Sequence, residues 1–224
     1  MQAAGTVKLY TWWRSQASFR VRIALLLKGL EAQMIFVDLL QGHQFAESYR
    51  HLNPEMVLPT LIDGDGPPLV QSLAILEYLD ERYPEPALLP KDARARAHVR
   101  ALAQSVAVDA HPFVVPRVRK YLEQDLGVDE SRRMKWISHW LESGTRVLEE
   151  QLARDPRTGR FCYGDAPTIA DICLVPHITS AKMLYDCNLS PYPTVRRIFE
   201  TCMQLDAFAN AHPVQQADAA KAVG

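Results

Sequence analysis

The stretch Lys8–Gly29, KLYTWWRSQASFRVRIALLLKG, constrains the fold more than any other part of the chain. Val7, Leu9 and Tyr10 are apolar and strand-prone, and a polar N-terminus precedes them. Trp12 to Ser18 breaks that pattern with polar and small residues. Phe19 to Lys28 then carries Val21, Ile23, Ala24, Leu25 and Leu27, a helical stripe closed by Gly29 at a C′ position. The spacing predicts strand, short loop, helix, the first unit of an α/β domain. Ser15 or Ser18 can cap the helix. The loop then faces free backbone N–H groups and the positive end of a helix dipole, a setting suited to an anion.

The next elements extend that unit. Met34–Leu40 (MIFVDLL) reads as a second strand, which with the helix makes a right-handed βαβ crossover. Thr60–Ile62 starts a third strand with Pro59 directly before it, and a cis Leu58–Pro59 bond would turn the Leu58 backbone outward. Asp63-Gly64-Asp65-Gly66 is a hairpin turn, and Leu69-Val70 form the return strand. A helix begins at Gln71-Ser72, with Ile75, Leu76 and Leu79 as its stripe and Ser72 as a candidate N-cap. The order β-α-β then β-β-α, with a proline before the third strand, is the thioredoxin-like arrangement.

Tyr83-Pro84-Glu85-Pro86 to Leu89-Pro90 is proline-rich and reads as a linker. The pattern from Lys91 onward is helical. Ala93–Val108 is rich in Ala, Arg and Val; Pro112 and Pro116 interrupt or kink the helical stretch that runs on to Leu126. Arg132–Arg154 is a long amphipathic helix. Thr168-Ile169-Ala170-Asp171 is a T-x-x-D box that opens a helix apolar nearly all round, the expected core of a second domain. Pro193–Leu205 is a last amphipathic helix, and 217–224 is a small-residue tail expected to be disordered. The expected domains are therefore an α/β thioredoxin-like unit over 1–86 and an all-α unit over 91–216.

Composition narrows the function classes. The formal net charge of −1 argues against a protein that works by gripping nucleic-acid backbones or acidic membranes. Cys162, Cys173, Cys187 and Cys202 have no C-x-x-C spacing and read as reduced core residues. No metal-ligand spacing joins His98, His139 and His177, which read as structural. Met1–Thr6 has no signal-peptide character, and Ile23–Leu27 is too short to span a bilayer, so the expected location is cytoplasmic.

With these features in place, the sequence resembles the cytosolic glutathione transferases over nearly its whole length, and in detail the zeta class. Ser15-Gln16-Ala17-Ser18-Phe19-Arg20-Val21-Arg22-Ile23-Ala24-Leu25 is similar to the class pattern Ser-Ser-Cys-Ser-x-Arg-Val-Arg-Ile-Ala-Leu. Asn53-Pro54, Val57-Leu58-Pro59-Thr60-Leu61 and Gln71-Ser72 fit as well. The resemblance implies a glutathione site. Ser15 would hold the sulfur, Gln16 and Ala17 would be neighbouring cofactor-binding positions, and the Leu58 backbone before Pro59 would pair with the cysteinyl part. Gln71 and Ser72 would bind the γ-glutamyl carboxylate, although Ser72 alone also reads as an ordinary cap. Gln44 would lie at the glycyl end. His111 and the segment Val115 to Arg117 would contribute from the helical side. Arg14 and Arg117 would clamp the carboxylates of an anionic substrate, while Arg14 alone reads equally as a solvated loop residue.

Two positions depart from the class: Ala17 stands where it has Cys or Thr, and Met183 where it usually has Arg, with Lys182 one place earlier. Three functions are expected. The first is glutathione-dependent cis–trans isomerisation of a maleyl-type keto acid such as maleylpyruvate or maleylacetoacetate. The second is general transfer of glutathione to small electrophiles. The third is non-catalytic glutathione binding, since fold alone does not decide function. The family implies a homodimer.

Overall fold

The computed structural model describes residues 6–219. By contact, 6–86 and 206–219 belong to one compact unit and Ala87–Leu205 to another.

In the first unit, β1 (Val7–Thr11), α1 (Gln16–Leu27) and β2 (Ala32–Phe36) form the crossover. A 3-10 turn (His43–Phe45) and α2 (Glu47–Leu52) lead to β3 (Thr60–Asp63), β4 (Leu69–Val70) and α3 (Ser72–Arg82). The sheet order is β2-β1-β3-β4, with β1 parallel to β2 and antiparallel to β3, and β3 antiparallel to β4. Leu9 sits opposite both Met34 and Leu61, and with Val7 and Thr11 it forms the fully buried face of β1. The period-2 signal in the sequence thus places one face in the core. Every residue of α1 from Gln16 to Leu25 is buried. The helix ends as expected: Lys28 and Gly29 close it, with Gly29 at φ +65°, Gly29 N–H donating to Leu26 C=O, and Leu30 N–H donating to Leu25 C=O.

The second strand differs from the reading of Met34–Leu40. It starts two residues earlier and ends at Phe36 because Asp38 takes over the backbone: its carboxylate accepts from the N–H groups of Leu40 and Gln41. That local capture outweighs the apolar run Val37–Leu40.

In the second unit, α4 (Ala93–Ala107), α6 (Glu130–Arg154) and α8 (Pro193–Met203) pack on α7 (Ile169–Tyr185), and α5 (Pro116–Gln124) packs on α6. Residues Ile169 to Thr179 are all buried, so α7 is the core helix that its apolar circumference predicted. Its start is a complete capping box: Thr168 accepts from Ala170 N–H, and Asp171 accepts from Thr168 N–H at 2.8 Å. Pro112 and Pro116 start elements rather than kink one; Pro116 is the first residue of α5. Gly144 lets α6 approach closely, since a Cβ there would lie 2.9 Å from Ala110 Cβ and 3.0 Å from His177 Cε1.

The chain beyond Leu205 departs from the sequence reading. Asp206–Ala211 forms α9, which packs on α1 of the first unit, and Phe208 is fully buried. Of the expected disordered tail, Asp218 accepts a hydrogen bond from Trp13 N–H at 2.9 Å and Ala219 is buried. The rest of that tail, 220–224, lies outside the described residues. Small residues read as disorder because they carry no periodic signal; here burial and one long-range hydrogen bond hold the segment. The four cysteines are buried and free, as expected. Among the described residues, no helix is long and apolar enough to cross a membrane, and no cluster of acidic, His and Cys side chains could hold a metal.

Candidate active site

The loop between β1 and α1 is held from inside by Arg22. Its guanidinium donates to Thr11 Oγ1 at 3.0 Å, to the carbonyls of Trp12 and Trp13, and to Ala211 C=O at 3.1 Å. Burial pulls this arginine down to about 9, with the Asp218 charge opposing, so it remains charged at neutral pH. The same burial raises Asp218 above the ordinary carboxylate range.

Ser15 follows on this anchored loop as the N-cap of α1, and its Oγ accepts from Ser18 N–H at 3.1 Å. The acceptor side of the hydroxyl thus serves the helix, and its proton is available to an outside acceptor. Ser18, the alternative cap, is buried inside the helix. Ala17 is buried and brings no polar hydrogen. Arg14 is exposed, with its guanidinium 5.4 Å from the centre of the Trp13 ring.

Arg20 joins α1 to the start of α3. Nη1 donates to Ser72 Oγ at 3.1 Å and Nη2 to Gln16 Oε1 at 2.9 Å. All three side chains are buried. Ser72 is therefore not the cap of α3. Gln71 occupies the N-cap, at φ +67° and with no side-chain cap bond, while its amide donates to Glu55 Oε2. A non-glycine residue held at positive φ is strained, and here it sits beside the first free N–H groups of α3.

The Leu58–Pro59 bond is cis, as expected, and both residues are buried. The turn before it is tied by Tyr49 OH and Asn53 Nδ2, both donating to Val57 C=O, and both also meet Thr60 Oγ1. Burial raises the Tyr49 phenol, so it stays protonated and able to donate. Gln44 is buried; its amide donates to Leu39 C=O at 3.4 Å, and its Oε1 has no partner.

Structure thus brings Gln16, Arg20 and Ser72 into direct contact, with Ser15 next in chain and Gln71 preceding Ser72. Gln44 and Leu58 lie elsewhere in the same unit. The remaining candidates belong to the second unit. His111 opens a 3-10 turn (His111–Phe113), Val115 is the N-cap of α5, and Arg117 is exposed on its first turn. Met183 is 40% exposed and Lys182 is also exposed, its Nζ 5.9 Å from the centre of the Phe199 ring. Sequence reasoning missed the roles of Arg20, Arg22 and Asp218. The signal for the arginines was present: two guanidinium groups inside a helix otherwise read as core must find acceptors. For Asp218 there was none.

Residues 5–81 match the glutathione S-transferase N-terminal domain family. The maleylpyruvate isomerase of a Ralstonia species is 43% identical over 214 residues, which cover 96% of this chain and all of the relative. A holo structure of maleylpyruvate isomerase, described as a bacterial glutathione S-transferase of the zeta class, superposes with a TM-score of 0.90 at 43% identity, covering 94% of this chain and 99% of its own. The maleylacetoacetate isomerase of Methylobacterium extorquens AM1, solved with malonate and glutathione bound, gives a TM-score of 0.92 at 46% identity, with 95% and 99% covered. The chain belongs to the glutathione S-transferase family, within the zeta class that includes these isomerases.

Proposed function

We propose that the protein is a glutathione-dependent cis–trans isomerase of a maleyl-type keto acid, maleylpyruvate or maleylacetoacetate. The observation that carries this reading is the similarity to maleylpyruvate isomerase over 96% of this chain and the whole of that relative. The residues present suit glutathione: Gln16 Nε2 is a buried donor with no partner, and Ser15 and Ser72 each accept from inside the protein and have a proton to give. Donors without acceptors suit a thiolate and a carboxylate.

Glutathione held there would supply a thiol nucleophile able to add reversibly to a carbon–carbon double bond, so that the bond could rotate and the thiol be recovered. Ser15 donates a hydrogen bond that favours the thiolate over the thiol, aided by the α1 N-terminus. Gln71 and Ser72 would hold the γ-glutamyl carboxylate, the Leu58 backbone would pair with the cysteinyl part, and Gln44 would serve the glycyl end. His111 and Val115 would be the helical unit's own candidates for contact with the cofactor. Arg14 and Arg117 carry the substrate's carboxylates; both are exposed, so both are free to turn toward an anion. The working form is a cytosolic homodimer.

A second reading is general transfer of glutathione to small electrophiles. It is favoured by Ala17, which brings no hydrogen-bond donor beside the sulfur, and by Met183, which brings no charge. The two readings part on stoichiometry. During turnover of maleylpyruvate an isomerase leaves total glutathione thiol unchanged, whereas conjugation of a chlorinated acid depletes it. Thiol consumed in step with maleylpyruvate loss would overturn the isomerase reading. A protein that binds glutathione tightly and turns over neither substrate would be a binding protein only.

A further inference from the structure

Arg20 has five N–H donors and no acceptor, so a glutamine or a serine that hydrogen-bonds to it must do so through its oxygen. This decides two orientations that a glutamine and a serine otherwise leave open. Gln16 must present Oε1 to Nη2, which leaves its NH2 group on the opposite side of the amide. Ser72 must present Oγ as acceptor to Nη1, which leaves its O–H to be donated elsewhere. The two acceptors meet the two terminal nitrogens of one planar fork, which ties both side chains to one guanidinium. Gln16 is 5% exposed and Ser72 6%, and Gln16 Nε2 has no partner. A buried amide N–H group without an acceptor is costly in a resting protein, and a ligand oxygen relieves that cost.

We propose that Arg20 is a positioning residue, which turns Gln16 NH2 and Ser72 OH into a matched pair of donors for the two oxygens of the γ-glutamyl carboxylate of glutathione. The proposal rests on the glutathione reading above and adds Gln16 as a carboxylate ligand and Arg20 as the group that orients both donors. A carboxylate accepts at both oxygens, while a carboxamide has one oxygen and one N–H2 group. The pair therefore discriminates the acid from its amide.

The test is calorimetric binding to the full-length protein of glutathione and of its analogue with the γ-glutamyl α-carboxylate converted to carboxamide. Wild type should prefer glutathione. Gln16→Glu keeps an oxygen for Arg20 and so should hold the thermal midpoint, but it turns an acceptor toward the anion. Glutathione should bind at least about thirtyfold more weakly and the amide should gain, so that the preference reverses. Arg20→Lys, whose ammonium is a single point, cannot hold both acceptors. It should weaken glutathione about threefold to tenfold with a much smaller effect on the amide. Should Gln16→Glu fail to fold, this second variant decides. Equal losses on both compounds, or unchanged glutathione binding in Gln16→Glu, would overturn the donor pair alone. A wild type that binds neither compound would overturn the cofactor reading and the pair with it.

Discussion

Ser15 has two duties on one oxygen, and they can be separated. As N-cap of α1 it accepts from Ser18 N–H, a contact whose removal costs about 0.5–2 kcal/mol. As the proposed donor to the thiolate it would lower the pKa of bound glutathione. Ser15→Ala should lose both, while Ser15→Asn should keep the cap yet still shift the thiolate titration to higher pH, because an amide cannot reproduce the hydroxyl geometry. Ultraviolet titration of the thiolate and chemical denaturation read the two effects; parallel changes in both variants would mean that helix stability alone sets the thiol pKa. Gln71 gives a second case. Its φ of +67° is strained for any side chain, at about 1–3 kcal/mol, and glycine is not strained there. Gln71→Gly and Gln71→Ala both lose the bond to Glu55, so the glycine variant should be the more stable of the two by denaturation, despite its larger unfolded-state entropy. A less stable glycine variant would show that the turn is held without strain.

Elements were legible where periodicity and punctuation agreed. β1, α1, the hairpin and the T-x-x-D box stand in the structure as the residues imply, since each is decided within a few positions of the chain. Ser72 reads as a cap in the sequence, but its oxygen answers to Arg20, far away along the chain, and no local pattern reports that. The pairing of Asp155, C-cap of α6, is of the same kind on one side only, since Arg157 is two residues away and His98 is distant along the chain. Its carboxylate meets Arg157 at 2.7 Å and His98 Nε2 at 3.0 Å. The Arg157 hydrogen bond is the main cause that pulls Asp155 from 3.8 to about 2. A depressed carboxylate stabilises the fold above its unfolded pKa and loses that contribution as pH falls through the folded value. Asp155→Asn should therefore lower the urea midpoint near neutral pH, and the gap from wild type should close between about pH 4 and pH 2. A gap independent of pH would assign the effect to packing. His98 does not supply the charge at neutral pH, because burial holds it below its ordinary range.

At the scale of the whole chain, the informative residues are those beyond Leu205. The sequence pattern predicts a second unit that ends at 216 with a tail after it, whereas 206–219 packs with the first. Phe208 is fully buried there, Arg22 donates to Ala211 C=O, and Asp218 accepts from Trp13 N–H, so the last segment grips the loop that carries Ser15. Phe208→Ala should cost about 3–5 kcal/mol, the usual range for emptying a buried aromatic site. Because the chain has two units, a single midpoint would blur the effect, and hydrogen exchange resolved by segment is the proper measurement. Protection should fall in β1 and α1, while α4 and α7 hold theirs. Leu141→Ala, which empties a fully buried position in α6, should produce the reverse pattern. Glutathione binding should fall more in the first variant than in the second, since of the two residues it is Phe208 that packs in the unit presenting Ser15. Were Phe208→Ala to expose α7 and spare α1, the last segment would belong energetically to the helical unit, and the anchor on Trp13 and Arg22 would contribute nothing to the site.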